Sequence, residues 1–144
     1  MALKIGSKAP EIKLKSTSGK TFELSVDLKN KPCIIYFYPK NFTRGCTEEA
    51  CTFRDAFSDF TDLAVTVIGI SKDSISSHLK FKKKHSLPFE LLSDPTGRIC
   101  KSYDSLIPIV NIPKRITYLL DANHKVVIKT CSEQKSILKS CLKR

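Results

Sequence analysis

From Cys33 to Tyr38 the chain reads Cys-Ile-Ile-Tyr-Phe-Tyr, with no polar residue interrupting it. A strand with one wet face alternates apolar and polar residues. A continuous run of this length instead predicts a strand covered on both faces. Pro39, which cannot donate to a ladder, ends it. From Thr47 to Asp59 the period changes: Ala50, Phe53, Ala56 and Phe57, continued by Phe60, repeat at helical spacing. Glu48 and Glu49 stand in the first turn, where carboxylates suit the helix dipole. Leu63–Ile70, rich in β-branched residues, predicts a second buried strand, and Ser74–His85 a helix presenting Ile75, Leu79 and Phe81.

Shorter signals complete the pattern. Glu11–Leu14 and Thr21–Leu24 flank Thr17-Ser-Gly-Lys20 and predict an N-terminal hairpin. Phe89–Leu92 is a short strand, and Asp94-Pro-Thr-Gly97 turns into a short helix over Ile99–Tyr103. Arg115–Asp121 and Lys125–Lys129 form two strands joined by Asp121-Ala-Asn-His124. A last helix is predicted over Ser132–Leu142. The order β-α-β-α-(β)-β-β-α predicts an α/β thioredoxin-like fold with an insertion. Its central mixed sheet is flanked by helices and extended by the N-terminal β-hairpin. With no repeats, low-complexity stretches or linkers, residues 1–144 are read as one domain.

Composition narrows the function classes. Hydrophobic residues make up 41% and charged residues 27% of the 144, an ordinary globular balance. The N-terminus lacks an apolar signal segment, and no run approaches the roughly 18 apolar residues a membrane helix needs. The expectation is a cytoplasmic protein with no membrane partner. The net charge of +11 comes largely from lysines spread along the chain, densest at Lys80-Phe-Lys-Lys-Lys-His85. Without aromatic interleaving this reads as solvated surface, and no nucleic acid is expected as a partner. His78, His85 and His124 are assigned to surface helix or turn positions.

Six cysteines, Cys33, Cys46, Cys51, Cys100, Cys131 and Cys141, are many for this length. None forms a Cys-x-x-Cys pair or finger-like spacing with histidine, so structural zinc is not expected. Cys33, inside the apolar run, is a buried small hydrophobe. Cys100, Cys131 and Cys141 are read as free structural thiols.

Cys46 and Cys51 differ from these. Cys46 lies where a strand gives way to a helix, beyond the carboxyl end of the strand, where α/β sheets gather functional groups. Unpaired N–H groups and the positive end of a helix dipole favour a thiolate there. Cys51 follows five residues later as a built-in partner. Attack on an oxygen–oxygen bond needs a thiolate, donors for the peroxide oxygens and a way to clear the sulfenic acid. Arg44 adds positive charge, and the Thr43 hydroxyl and nearby backbone N–H groups are candidate donors. Arg115, at the start of its strand, is the best-placed further arginine. Arg54 is a helix-surface or supporting residue.

At this point the residues resemble a known family. Pro39-Lys-Asn-Phe-Thr43-Arg-Gly-Cys46 fits the Pro-x-x-x-Thr-x-x-Cys signature of peroxiredoxins. The longer string Tyr36-Phe-Tyr-Pro-Lys-x-x-Thr-x-Gly-Cys-Thr-x-Glu-Ala-Cys-x-Phe-Arg-Asp55 resembles the bacterioferritin comigratory protein, or peroxiredoxin Q, subfamily. The resemblance runs from Gly6-Ser-Lys-Ala-Pro10 to Arg115-Ile-Thr-Tyr-Leu-Leu-Asp121. It implies a thiol-dependent peroxidase acting on hydrogen peroxide and organic hydroperoxides, without cofactor, in antioxidant defence. It also implies a monomer. Cys46 would be the peroxidatic cysteine, Thr43 and Arg115 would activate it and bind peroxide, Pro39 would shape and shield the pocket, and Cys51 would be the resolving cysteine. Arg44, in place of a usual proline, and Asn41-Phe42, in place of an acidic or polar pair, depart from the family pattern.

The spacing has a consequence of its own. Five residues of intact helix separate two Cα atoms by about 7.5 Å in rise, with side chains about 140° apart. A disulfide wants Cα atoms about 4.4–6.8 Å apart. Forming Cys46–Cys51 therefore requires the first turns to unwind, after which an external dithiol such as thioredoxin would reduce the bond. A disulfide reductase would instead want the missing Cys-x-x-Cys turn.

Overall fold

The computed structural model describes residues 3–130. In chain order its elements are β1 (Lys13–Ser16), β2 (Thr21–Glu23), α1 (Leu24–Asp27), β3 (Cys33–Phe37), α2 (Arg44–Asp55), α3 (Phe57–Asp62) and β4 (Thr66–Ser71). There follow α4 (Ile75–His85), β5 (Glu90–Ser93), α5 (Arg98–Ser102), β6 (Leu106–Ile107), β7 (Ile112–Pro113), β8 (Ile116–Leu120) and β9 (Val126–Thr130). Seven strands form one sheet in the order β2-β1-β5-β4-β3-β8-β9, and β6-β7 is a separate two-stranded ribbon. β3 runs parallel to β4 and antiparallel to β8, and β4 runs parallel to β5. This is the mixed sheet of an α/β, thioredoxin-like fold. The N-terminal hairpin extends it by pairing β1 with β5.

β3 sits at the centre, and every one of its residues is buried. Its side chains alternate between two apolar layers, as the pleat demands. Cys33, Ile35 and Phe37 enter one layer with Ile99, Cys100, Tyr103 and Tyr118. Ile34 and Tyr36 enter the other with Cys46, Ala50, Phe53, Phe60 and Phe81. Cys46, Ala50 and Phe53, spaced at i, i+4 and i+7, form the stripe by which α2 lies on the sheet. Burying Phe53 stabilises this docking by about 1.5–3 kcal/mol relative to exposure. The Tyr36 ring stacks on Phe53, with centroids 4.7 Å apart. It fits because its strand partner is Gly69, where a Cβ would stand 2.7 Å from the tyrosine ring.

Several boundaries differ from the sequence reading. α2 begins at Arg44 rather than Thr47 and ends at Asp55, and Phe57–Asp62 is a separate short helix. This break at Ala56 leaves Phe60 beside Phe53, 6.0 Å between centroids. Leu63–Val65, read as strand, forms the exit from α3, with Ala64 left-handed at φ 57°. In α4 the buried residues are His78 and Phe81, so of the face the apolar pattern indicated Phe81 packs while Leu79 is 46% exposed and His78 takes the inward place beside it. α1 and the β6-β7 ribbon were not anticipated. The helix expected over Ser132–Leu142 lies outside the described residues, as do Cys131 and Cys141.

Candidate active site

α2 starts just past the carboxyl end of β3. Thr43 is its N-cap, extended at φ −83° and ψ 152°, and its carbonyl accepts the first helical bond from the Thr47 N–H at 2.9 Å. Cys46 is the third helical residue, inside the turn whose N–H groups have no partner within the helix. Its side chain is 1% exposed. The Thr43 hydroxyl donates to the Lys40 carbonyl at 2.9 Å. A hydroxyl has one proton, so in this state Thr43 offers the pocket lone pairs rather than the donor expected from sequence. Pro39 is half-buried between β3 and the turn carrying Asn41.

Arg115 reaches Cys46 from the other side of the site. It immediately precedes β8, whose Ile116 pairs with Phe37 at the end of β3. Its Nη2 donates to Cys46 Sγ at 3.2 Å, and its Nη1 donates to Glu49 Oε1 at 2.8 Å. Glu49 is 3% exposed and lies one helical turn after Cys46. The carboxylate therefore fixes which face of the fork meets the sulfur. Burial works against the guanidinium charge, but Glu49 and Cys46 more than offset it and raise the Arg115 pKa above its ordinary value. A guanidinium donor bonds more strongly to an anionic sulfur than to a neutral one. Gly45 makes room for this approach, since a Cβ there would stand 3.0 Å from Arg115 Nη2.

Cys51 is half-buried further along α2, and Cys46, Cys51, Cys33 and Cys100 are all free thiols. The structure thus brings Cys46 together with Arg115, with Thr43 and Pro39 in the segment leading into the helix. It leaves Cys51 on an unbroken helix. Arg44 points outward and pairs with Glu48 at 3.2 Å, both highly exposed. Arg54 donates to Asp55 and, through Nη1, to the His85 carbonyl at 2.9 Å, tying α2 to the end of α4.

Sequence reasoning missed Glu49, Gly45 and the histidines' environment. The i+3 spacing of Glu49 from Cys46 was a usable signal, because residues three apart share a helix face. The surface assignment of the histidines fails for two of them. His78 is 0% exposed, with Nε2 donating to the Leu92 carbonyl at 2.9 Å. His124 is buried with Nε2 2.7 Å from the Leu28 carbonyl. His85 is half-buried, with its ring against Phe81. The buried histidines find their partners 14 and 96 residues away in sequence.

A buried cysteine at a helix start, with an arginine on its sulfur and a carboxylate orienting that arginine, is suited to nucleophilic thiol chemistry. The AhpC/TSA family model matches residues 5–129, nearly the whole described chain. The chain belongs to the AhpC/TSA family of peroxiredoxins. It is 42% identical over 133 residues to peroxiredoxin Bcp of Bacillus subtilis (strain 168), covering 88% of this chain and 84% of that protein. It is 43% identical over 119 residues to peroxiredoxin Q, chloroplastic, of Oryza sativa subsp. japonica, but spans only 54% of that longer protein. The crystal structure of peroxidoxin BcpB from Mycobacterium tuberculosis superposes with a TM-score of 0.89 at 30% identity, covering 98% and 97% of the two chains. As a peroxiredoxin the protein is a thiol-dependent peroxidase whose substrate is a peroxide and whose turnover needs a reductant.

Proposed function

We propose that this peroxiredoxin uses Cys46 as its attacking thiolate and Cys51 as its resolving thiol. The observation that carries the reading is the Arg115 guanidinium, which spans Cys46 Sγ at 3.2 Å and Glu49 at 2.8 Å. The Cys46 sulfur attacks one peroxide oxygen; an S–O bond forms as the O–O bond breaks. The leaving oxygen takes a proton and departs as water or an alcohol, and Cys46 is left as sulfenic acid. Negative charge develops on the leaving oxygen, and fixed N–H donors aimed there lower the barrier. Arg115 and the backbone N–H groups of the first turn of α2 supply them, while Thr43 and Pro39 shape the wall.

Cys51 then attacks the sulfenic sulfur, an S–S bond forms, and the hydroxyl leaves as water. On intact α2 the two Cα atoms are separated by about 7.5 Å of rise, outside the roughly 4.4–6.8 Å a disulfide accepts. The first turns of α2 therefore unwind at this step. Thioredoxin or a similar dithiol protein reduces the bond and lets the helix re-form. The substrates are hydrogen peroxide and organic hydroperoxides, and the protein works as a cytoplasmic monomer in antioxidant defence.

The test compares Cys46→Ser with Cys51→Ser under a peroxide pulse, following sulfenic acid and free thiol. Cys46→Ser should consume no peroxide. Cys51→Ser should form sulfenic acid at the normal rate, accumulate it and stop turning over with thioredoxin. Peroxidase activity surviving in Cys46→Ser would sink the assignment.

A further inference from the structure

Behind the thiol lies a buried polar cluster that the chemistry above does not use. Asn41 is 3% exposed although it sits in the turn between β3 and α2. Its backbone N–H donates to Asp73 Oδ2 at 3.0 Å, and its Oδ1 accepts from the Tyr38 hydroxyl at 2.6 Å. Its Nδ2 donates to Ser77 Oγ at 3.1 Å and to His78 Nδ1 at 2.9 Å. The tautomer follows from the far side of the ring: Nε2 faces the Leu92 carbonyl, which can only accept, so Nε2 carries the proton and Nδ1 accepts. Asp73 is held in turn by the Ser71 hydroxyl at 2.5 Å. Each side-chain donor of Tyr38, Asn41 and His78 meets an acceptor, and the cluster ties the end of β3 to the β4–α4 loop, α4 and β5.

The contrast begins one residue later. Phe42, Thr43, Arg44 and Gly45 are all exposed. Phe42 is left-handed at φ 65°, an unfavourable conformation for an aromatic residue, and its ring lies against Phe81 and Lys84. The chain therefore passes abruptly from a buried, hydrogen-bonded anchor to an exposed segment that leads into Cys46.

We propose that Asn41 and His78 are positioning residues, a clasp that holds the turn before α2 so that Cys46 faces Arg115, and that sets the N-terminal limit of the unwinding that joins Cys46 to Cys51. The second part rests on the resolving role assigned to Cys51. With the clasp closed, unwinding starts at Phe42 and spares β3. With it loosened, Cys46 presents poorly to peroxide but reaches Cys51 more readily.

Three variants of the full chain test this: Asn41→Ala, His78→Leu and His78→Gln. A glutamine amide both accepts and donates, so it can reproduce the two bonds of the imidazole. Asn41→Ala and His78→Leu should lower the single-turnover rate of the reduced protein with hydrogen peroxide by about tenfold. They should also raise the ratio of Cys46–Cys51 disulfide to sulfinic acid at a fixed peroxide excess, and His78→Gln should restore both toward the unmutated values. Restoration by His78→Gln separates the clasp from a loss of packing alone. Unchanged rate and ratio in Asn41→Ala, or a His78→Gln variant no better than His78→Leu, would overturn the clasp. Should His78→Leu fail to fold, Asn41→Ala and amide exchange decide. In the oxidised, unmutated protein the Asn41 N–H should remain protected while the amides of residues 43–50 exchange. A disulfide that forms with Asn41 unprotected overturns the clasp; no Cys46–Cys51 disulfide at all overturns the resolving role of Cys51 and the limit drawn from it.

Discussion

Cys33 and Cys46 face opposite sides of one sheet, and both are hidden from solvent, at 0% and 1% exposure. Their surroundings differ completely. Cys33 is enclosed by aliphatic and aromatic side chains, and burial alone pushes its thiol up to about 12. Cys100, in the same layer, is pushed up by burial first and by the neighbouring Asp94 carboxylate second. Cys46 instead receives an N–H from Arg115, whose direction Glu49 fixes. Burial silences a thiol that has no cation beside it. Where a cation is supplied and oriented, the same burial removes competing water and strengthens the contact.

If that contrast is right, removing the cation should make Cys46 behave like Cys33. Arg115→Ala should lower the second-order rate of sulfenic acid formation by about 10²–10³-fold, as loss of a fixed donor to developing charge does elsewhere. Stopped-flow measurement with hydrogen peroxide reads this directly. Arg115→Lys should recover only part of the rate, because an ammonium brings charge without a fork able to hold Glu49 and Cys46 together. A rate within twofold of normal in Arg115→Ala would show that the helix start alone distinguishes the two thiols.

A gentler disturbance leaves the charge and moves it. In Gly45→Ala the new Cβ would stand 3.0 Å from Arg115 Nη2, so the guanidinium must shift by a few tenths of an ångström. Peroxide reactivity should fall by about fivefold. Alanine is also the better helix former by about 1 kcal/mol, so the same variant should melt no lower than the unmutated protein. A stable variant with reduced reactivity would assign the loss to the position of Arg115. A variant that loses both would point to damage in α2 itself.

How much of this was legible beforehand follows from how local each signal is. β3 was readable because a strand covered on both faces spells an unbroken apolar run, and the start of β8 placed Arg115 from its own neighbours. The beginning of α2 was set three residues late, since Arg44 and Gly45 carry no apolar period and glycine is a poor helix former. Glu49 looked like a dipole-compensating surface carboxylate because its partner lies 66 residues away. His78 misled more strongly. Leu79 outranks it in any apolar pattern, yet α4 buries the histidine and exposes the leucine. The reason is that Asn41 and the Leu92 carbonyl satisfy both ring nitrogens, which removes most of the cost of burying them. No sequence window contains all three residues.

The smallest effect concerns Cys33 itself. Its thiol has an ordinary value near 9.0 and is pushed up to about 12 in the folded protein. Between those values the unfolded chain has lost this proton and the folded protein has kept it. The native state therefore binds more protons, and stability falls as pH rises. The contribution of Cys33 is complete below pH 9 and disappears as pH climbs toward 12, at no more than about 1.4 kcal/mol per pH unit. Chemical denaturation of Cys33→Ala at successive alkaline pH values should give a shallower decline than the unmutated protein, whatever the offset from the small cavity. Peroxide reactivity at Cys46 should be unaffected, since the sheet separates the two residues. An unchanged alkaline slope would mean that Cys33 reaches solvent through local opening, and the contrast between the two buried thiols would then rest on Arg115 alone.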